Sequence, residues 1–189
     1  MGGLLVIVVL GLVVLLVVFG LWAIGIYNGL QRKRIGAQTA WSDIDVQLKR
    51  RHDLVPNLVN TVKGYATHEK GVFENVATAR SAAMGAQSID QQIAAEGQLS
   101  AALGRLFAVA EAYPELKANQ NFLALQEELT STENKIGFAR TNYNRNVAQF
   151  NEATLVFPAN ILAGMFGFQQ MKLYELDSVD ERKVPTVQF

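Results

Sequence analysis

After Met1 the chain runs GGLLVIVVLGLVVLLVVFGLWAIGIY, and no charged side chain occurs before Arg32. As a helix, Leu4–Ile26 is about 35 Å long, which exceeds the roughly 30 Å hydrocarbon core of a bilayer. Trp22 and Tyr27 fall near its C-terminal end, where amphipathic rings favour the headgroup level. A cleaved signal peptide asks for a basic leader, a shorter apolar core and a small-x-small cleavage site. Here nothing basic precedes Arg32 and the apolar run is longer than that pattern needs. The pattern predicts one transmembrane helix within residues 1–27.

Further on, the apolar positions settle into a 3.5-residue repeat. From Trp41, steps of three and four reach Ile44, Leu48, Arg51, Val55, Leu58, Val62, Tyr65, Glu69, Val72, Val76, Ala79 and Ala83. The register passes Pro56 unbroken, so this stretch predicts one long helix of about 55 residues, kinked rather than ended at Pro56. It could run on from the membrane helix, with Gly25, Gly29 and Gly36 as the points of interruption. A second helix is predicted over Ile89–Tyr113, with Leu99, Leu103, Leu106 and Ala110 on one face and Ser88 or Asp90 as its cap. Pro114 suits the first turn of the next helix, where a missing N–H costs nothing, and Glu115 suits the positive end of its dipole. That helix carries the seam Phe122, Leu125, Leu129, Thr132, Ile136, Ala139, Tyr143, Asn146, Phe150, Ala153 and Phe157, in which large and small positions largely alternate.

Short turns between such helices force antiparallel neighbours. The predicted fold class is all-α: a single N-terminal transmembrane helix followed by an elongated antiparallel up-down helical bundle of three long helices plus a short C-terminal helix. The anchor occupies 1–27, the bundle 28–173 and an extended tail 174–189. Seams of this kind serve as the bundle's own core, with an intermolecular coiled coil as the alternative. The stretch Leu155–Phe168, LVFPANILAGMFGF, is charge-free and too short to span a bilayer. It could close the bundle, lie in the membrane interface or bury against another subunit, which makes Phe166 and Phe168 candidate interaction residues. Val187 and Phe189 at the end of the sequence could add as a strand to a partner's sheet edge.

Composition narrows the function classes. Seventeen basic and seventeen acidic residues balance, so nothing points to nucleic acid or another polyanion as partner. The absence of cysteine removes disulfides, thiol catalysis, Cys-ligated metal and a lipobox. Val6 breaks the myristoylation pattern. Arg32-Lys33-Arg34 follows the apolar run directly, and Lys49-Arg50-Arg51 lies further on. The positive-inside rule therefore places the helical domain in the cytoplasm. The periplasmic or extracellular side stays the alternative, because long domains cross largely regardless of charge.

Several long motifs carry a family identity. They include Tyr27-Asn28-x-Leu30, Ala40-Trp41-Ser42-x-Ile44-Asp45-Val46-Gln47-Leu48-Lys49-Arg50-Arg51-x-Asp53-Leu54-Val55-Pro56-Asn57-Leu58-Val59 and Thr61-Val62-Lys63-Gly64-Tyr65-Ala66-x-His68-Glu69. Tyr113-Pro114-Glu115-Leu116-Lys117-Ala118, Thr132-Glu133-x-x-Ile136 and Ala139-Arg140-x-x-Tyr143-Asn144 continue the series. From about Tyr27 onward the chain closely resembles the LemA family. That resemblance implies a bacterial, membrane-anchored protein of antiparallel helices without an established enzymatic activity. Some members carry a lipoprotein-like Cys just before the Tyr-Asn, where this chain has Gly25-Ile26.

Candidate chemistry is sparse. His68-Glu69-Lys70-Gly71-Val72 lacks the second His that a zinc-protease helix requires, and no phosphate loop, nucleophile elbow or acidic metal cluster occurs. No enzyme and no cofactor are predicted. Arg51 and Glu69 fall on the apolar seam, where a charge needs a partner or a route to water. Eighteen residues apart on one helix they would sit roughly 27 Å from each other, so Glu133 or Glu128 of the later helix is the predicted partner of Arg51. Gly25-x-x-x-Gly29 would permit close helix approach at the membrane boundary. The functional expectation is a scaffold or adaptor in the bacterial inner membrane that self-associates as a homo-oligomer or recruits an unidentified protein partner. A subunit of a transport or pore assembly is the alternative.

Overall fold

The computed structural model describes residues 1–174. Val187 and Phe189, with the rest of the expected tail after Tyr174, lie outside the described residues. Within them the chain is all-helical: α1 (Gly2–Lys63), α2 (Lys70–Met84), α3 (Ile89–Glu111), the single turn α4 (Pro114–Lys117), α5 (Gln120–Leu155) and α6 (Ala159–Met165). Helix α1 runs through Gly25, Gly29, Gly36 and Pro56 without interruption.

The helix expected to reach Ala83 ends instead at Lys63. The amides of Tyr65 and Ala66 both reach back to the Val62 carbonyl, and α2 restarts at Lys70 with the Glu69 carbonyl accepting from Val72 and Phe73. Ala66, fully buried, plugs the turn. The seam residues on both sides of it, Val55, Leu58, Val62, Val76, Ala79 and Ala83, are buried all the same. A period of 3.5 reports which face is covered, and both helices cover theirs in one core, so the repeat passes through the turn undisturbed. The helix predicted from Pro114 is likewise divided. Pro114 opens α4, and Asn119 restarts the chain by accepting the Phe122 amide on its side-chain oxygen at 3.1 Å. Ser88 caps α3, accepting from the Gln91 amide at 3.3 Å.

The chain divides into two compact units. One comprises Asp43–Arg140 together with Tyr174. Its core gathers Val55, Leu58 and Val62 of α1, Phe73 and Val76 of α2, Leu99, Leu103 and Leu106 of α3, Leu116 of α4 and Phe122 and Leu129 of α5.

The other unit comprises Met1–Ser42 and Thr141–Leu173. Leu30, Ala37 and Ala40 of α1 are buried here, with Tyr143, Val147 and Phe150 of α5 and Leu162 and Ala163 of α6. The Trp41 ring meets Tyr143 edge-on at 5.3 Å. A Cβ on Gly36 would come within 3.3 Å of Asn146 Oδ1, so this glycine lets the two helices approach. The Tyr143 hydroxyl donates to the Lys172 carbonyl at 2.8 Å. Asn151 binds Met171 through both its side-chain amide and its oxygen, each at 2.8 Å.

Burial pushes the Tyr143 hydroxyl above its ordinary pKa of 10 and does the same to Tyr174. For a phenol raised by folding, the stabilisation is fully present below the unfolded value and disappears as pH rises through the folded one. We therefore expect thermal stability to hold below about pH 10 and to fall above it. Tyr143→Phe should lower stability by about 1 kcal/mol at neutral pH through its lost hydrogen bond, and should make the alkaline decline shallower. Circular dichroism melts across that pH range measure both effects.

Candidate functional sites

The first site lies where the apolar run meets the covered part of α1. Every residue from Met1 to Phe19 is exposed, and this stretch is long and apolar enough to cross a membrane. Cover begins on one face: Ala23, Ile26 and Tyr27 are half-buried and Leu30 is fully buried. Their three- and four-residue spacing is one stripe of a helix. Against that stripe sit Phe166 and Phe168, with ring centroids 4.9 Å and 5.6 Å from Tyr27, both edge-on. Edge-to-face pairs of this kind add about 0.5–1.5 kcal/mol each beyond the area they bury. Phe168 also meets Phe150 at 6.3 Å, and the Tyr27 hydroxyl accepts from Gln31 Nε2 at 2.9 Å.

A local signal sets this geometry. Helix α6 ends in a Schellman motif, in which the Phe168 amide reaches the Ala163 carbonyl at 2.9 Å and the Gly167 amide reaches Gly164 at 3.3 Å. Gly167 supplies the required left-handed backbone with φ of 69°. The turn thereby aims Phe166 and Phe168 at the same tyrosine. At the two boundary glycines singled out by their spacing, a Cβ on Gly25 or Gly29 would meet nothing within 4 Å among the described residues.

The second site is a cluster of charges inside the other unit. Arg51, His52 and Glu96 are each at most 6% exposed. Glu96 Oε2 accepts from Arg51 at 3.3 Å, and its Oε1 accepts from His52 Nε2 at 2.6 Å. A second guanidinium nitrogen donates to Ser100 Oγ at 2.6 Å, and Glu133 approaches from the half-exposed rim at 3.3 Å. Arg80 Nε donates to the His52 carbonyl at 2.7 Å. Tyr174 is buried nearby with the Arg140 guanidinium over its ring at 4.6 Å. Burial is the largest influence on its hydroxyl, followed by the opposing charge of Arg140. The cluster ties α1 to α3 and α5.

Arg51 is thus placed against Glu133, while Glu128 pairs with the neighbouring Arg50 at 2.7 Å. Glu69 stands at the start of α2, half-buried. Because α1 ends before it, the 27 Å spacing expected along one helix does not apply. Glu96 escaped the sequence reading, yet a signal was present: it lies three residues before Leu99 on the buried face of α3. An opposite charge on a second apolar stripe is what a seam arginine asks for.

Chemically, Glu96 holds a guanidinium and an imidazole at once. A serine, a histidine and a carboxylate are all present, but Arg51 rather than His52 engages Ser100 Oγ. The contact a nucleophilic relay requires runs from the hydroxyl to the imidazole. Among the described residues, no three His, Asp or Glu side chains converge as a metal ion would need.

Comparison with known proteins adds the family. The magnetosome protein MamQ of Magnetospirillum gryphiswaldense is 24% identical, over 86% of this chain and 70% of its own length. Protein LemA of Metamycoplasma hominis is 25% identical, over 86% of this chain and 75% of its own length. Residues 40–189 match the LemA family as a whole. This span holds most of the sequence and includes the Arg51–Glu96 cluster and the Phe166–Phe168 turn, and on it the chain belongs to the LemA family.

Proposed function

We propose that the protein is a membrane-anchored helical scaffold, in which Leu4–Ile26 spans the bilayer and the helices beyond it self-associate or hold a partner at the membrane. The observation that carries this reading is the bare apolar half of α1: residues 1–19 are all exposed, and their helix continues unbroken into a buried one. Apolar surface of this extent on a helix about 35 Å long finds its natural cover in lipid. An antiparallel up-down bundle is the arrangement we favour for the remaining helices. The basic Arg32-Lys33-Arg34, all exposed at the exit of the span, favours the cytoplasmic side. A transport pore fits less well, since the span offers no ionisable side chain to line a pathway.

Light scattering of the full chain in mild detergent tests the assembly role. The expected result is a discrete mass above one protomer; a monodisperse single protomer counts against self-association. Because the chain contains no cysteine, Phe138→Cys introduces a unique thiol on an exposed position of α5. Its reaction with an impermeant maleimide only after cell opening is the expected outcome, and labelling in intact cells overturns the cytoplasmic placement.

A further inference from the structure

The end of α5 and the outer face of α6 present a second apolar surface. Leu155, Val156, Phe157, Ile161, Met165 and Phe166 are each more than half exposed, and no charge occurs from Leu155 to Phe168. Each position alone would need no explanation, but six in one charge-free turn form a patch that does.

Its location identifies what covers it. Helix α5 meets α1 in antiparallel register, Trp41 against Tyr143 and Gly36 beside Asn146. Continued along both helices, that register brings Leu155 about level with Asn28, at the mouth of the apolar span. The chain then turns through α6 and returns with Phe166 and Phe168 on Tyr27. The cover on α1 reaches back to Ala23, about 6 Å inside Tyr27. The tip of this hairpin therefore stands beside the last turns of the span. Arg32, Lys33 and Arg34 are exposed just beyond it, where lipid phosphates lie.

We infer that Leu155–Phe166 is a second membrane contact: a short hairpin seated in the interfacial layer of the leaflet through which α1 leaves. This inference rests on the reading of Leu4–Ile26 as a membrane span, since that span fixes the depth of Tyr27. The patch is continuous with the bare surface of α1, and a bilayer that covers one also covers the other. Phe157 and Phe166 supply bulky rings at the depth where interfacial segments bury their apolar face. The membrane then grips the unit at two points rather than one, which restrains tilting and rotation of α1.

The cysteine-free sequence permits a direct test. Phe157→Cys and Met165→Cys, made separately in the full chain, are labelled with an environment-sensitive fluorophore. The proteins are reconstituted in phosphatidylcholine–phosphatidylglycerol vesicles whose acyl chains carry bromine either near the headgroup or near the bilayer centre. Val13→Cys serves as the deep reference and Phe138→Cys as the aqueous one. Both hairpin labels should lose emission most strongly to shallow bromine and resist an aqueous quencher. Aqueous quenching of both, with Val13 quenched by deep bromine, overturns the hairpin while leaving the span intact. Protection from both kinds of quencher means that protein covers the patch, a second copy being the obvious source, and this also overturns it. A Val13 label outside lipid overturns the span, and the hairpin inference with it.

Discussion

Replacing Val9, Val13 and Val17 together by aspartate releases the chain from the membrane, whereas Val13→Asp alone leaves it there. Eighteen of the residues from 4 to 26 are Leu, Ile, Val or Phe. At roughly 0.3–0.6 kcal/mol each, insertion gains at most about 5–11 kcal/mol from them, an upper bound because these values apply at the bilayer centre. One central aspartate costs about 2.5–3.5 kcal/mol on the same scale, which the span absorbs. Three on successive turns of one face cost about 7–10 kcal/mol and also remove three valines, which exhausts the gain. Sedimentation of membranes after an alkaline carbonate wash reads the result. Full release by the single substitution, or full retention of the triple variant, contradicts the assignment of Leu4–Ile26 as the span.

The second large effect is expected inside the charge cluster. Glu96→Ala should destabilise the fold by about 3 kcal/mol, the lower end of the range for removing one member of a buried pair. The lower end is appropriate because Arg51 keeps Glu133 at 3.3 Å and Ser100 at 2.6 Å. Glu133→Ala removes a carboxylate that is half exposed, so about 1 kcal/mol or less is expected. Arg51→Met combined with Glu96→Met should recover most of the single loss, because an apolar pair needs no desolvation of charge. The His52 imidazole, left without its acceptor, keeps the recovery incomplete. Denaturant midpoints of the detergent-solubilised chain compare the three variants with the unaltered protein. A Glu96→Ala protein as stable as Glu133→Ala would show that the buried carboxylate does not hold the helices together.

The sequence made some of this visible and hid the rest for physical reasons. The long apolar helix at the start of α1 was plain because a run of apolar residues needs no partner to be recognised. Seam residues such as Ile44, Leu48, Val55 and Leu58 were read from their period, and each is buried. The end of α1 at Lys63 was hidden because Gly64 is a weak signal and the repeat continues on α2 in the same core. Arg51 stood out as a charge on the stripe, but its main partner did not, since periodicity reports facing and says nothing of which helix is faced. Glu96 and His52 join Arg51 only through tertiary packing of α1 on α3. The Tyr27 contacts are of the same kind. Gly167 marks a turn, yet only the folded unit shows that it brings Phe166 and Phe168 onto Tyr27, at the end of the apolar run.

The unbroken passage of α1 through Gly25, Gly29 and Gly36 makes its apolar half an axle. A continuous α-helix is stiff in torsion, with each residue fixed about 100° from the last. Whatever grips the apolar part of this helix therefore sets the azimuth of Leu30, Ala37 and Ala40, and with it the bearing of the α5 segment packed on them. Adding one residue between Gly11 and Phe19, where every position is exposed, would swing that face by about a quarter turn while leaving every contact from Ala23 onward intact.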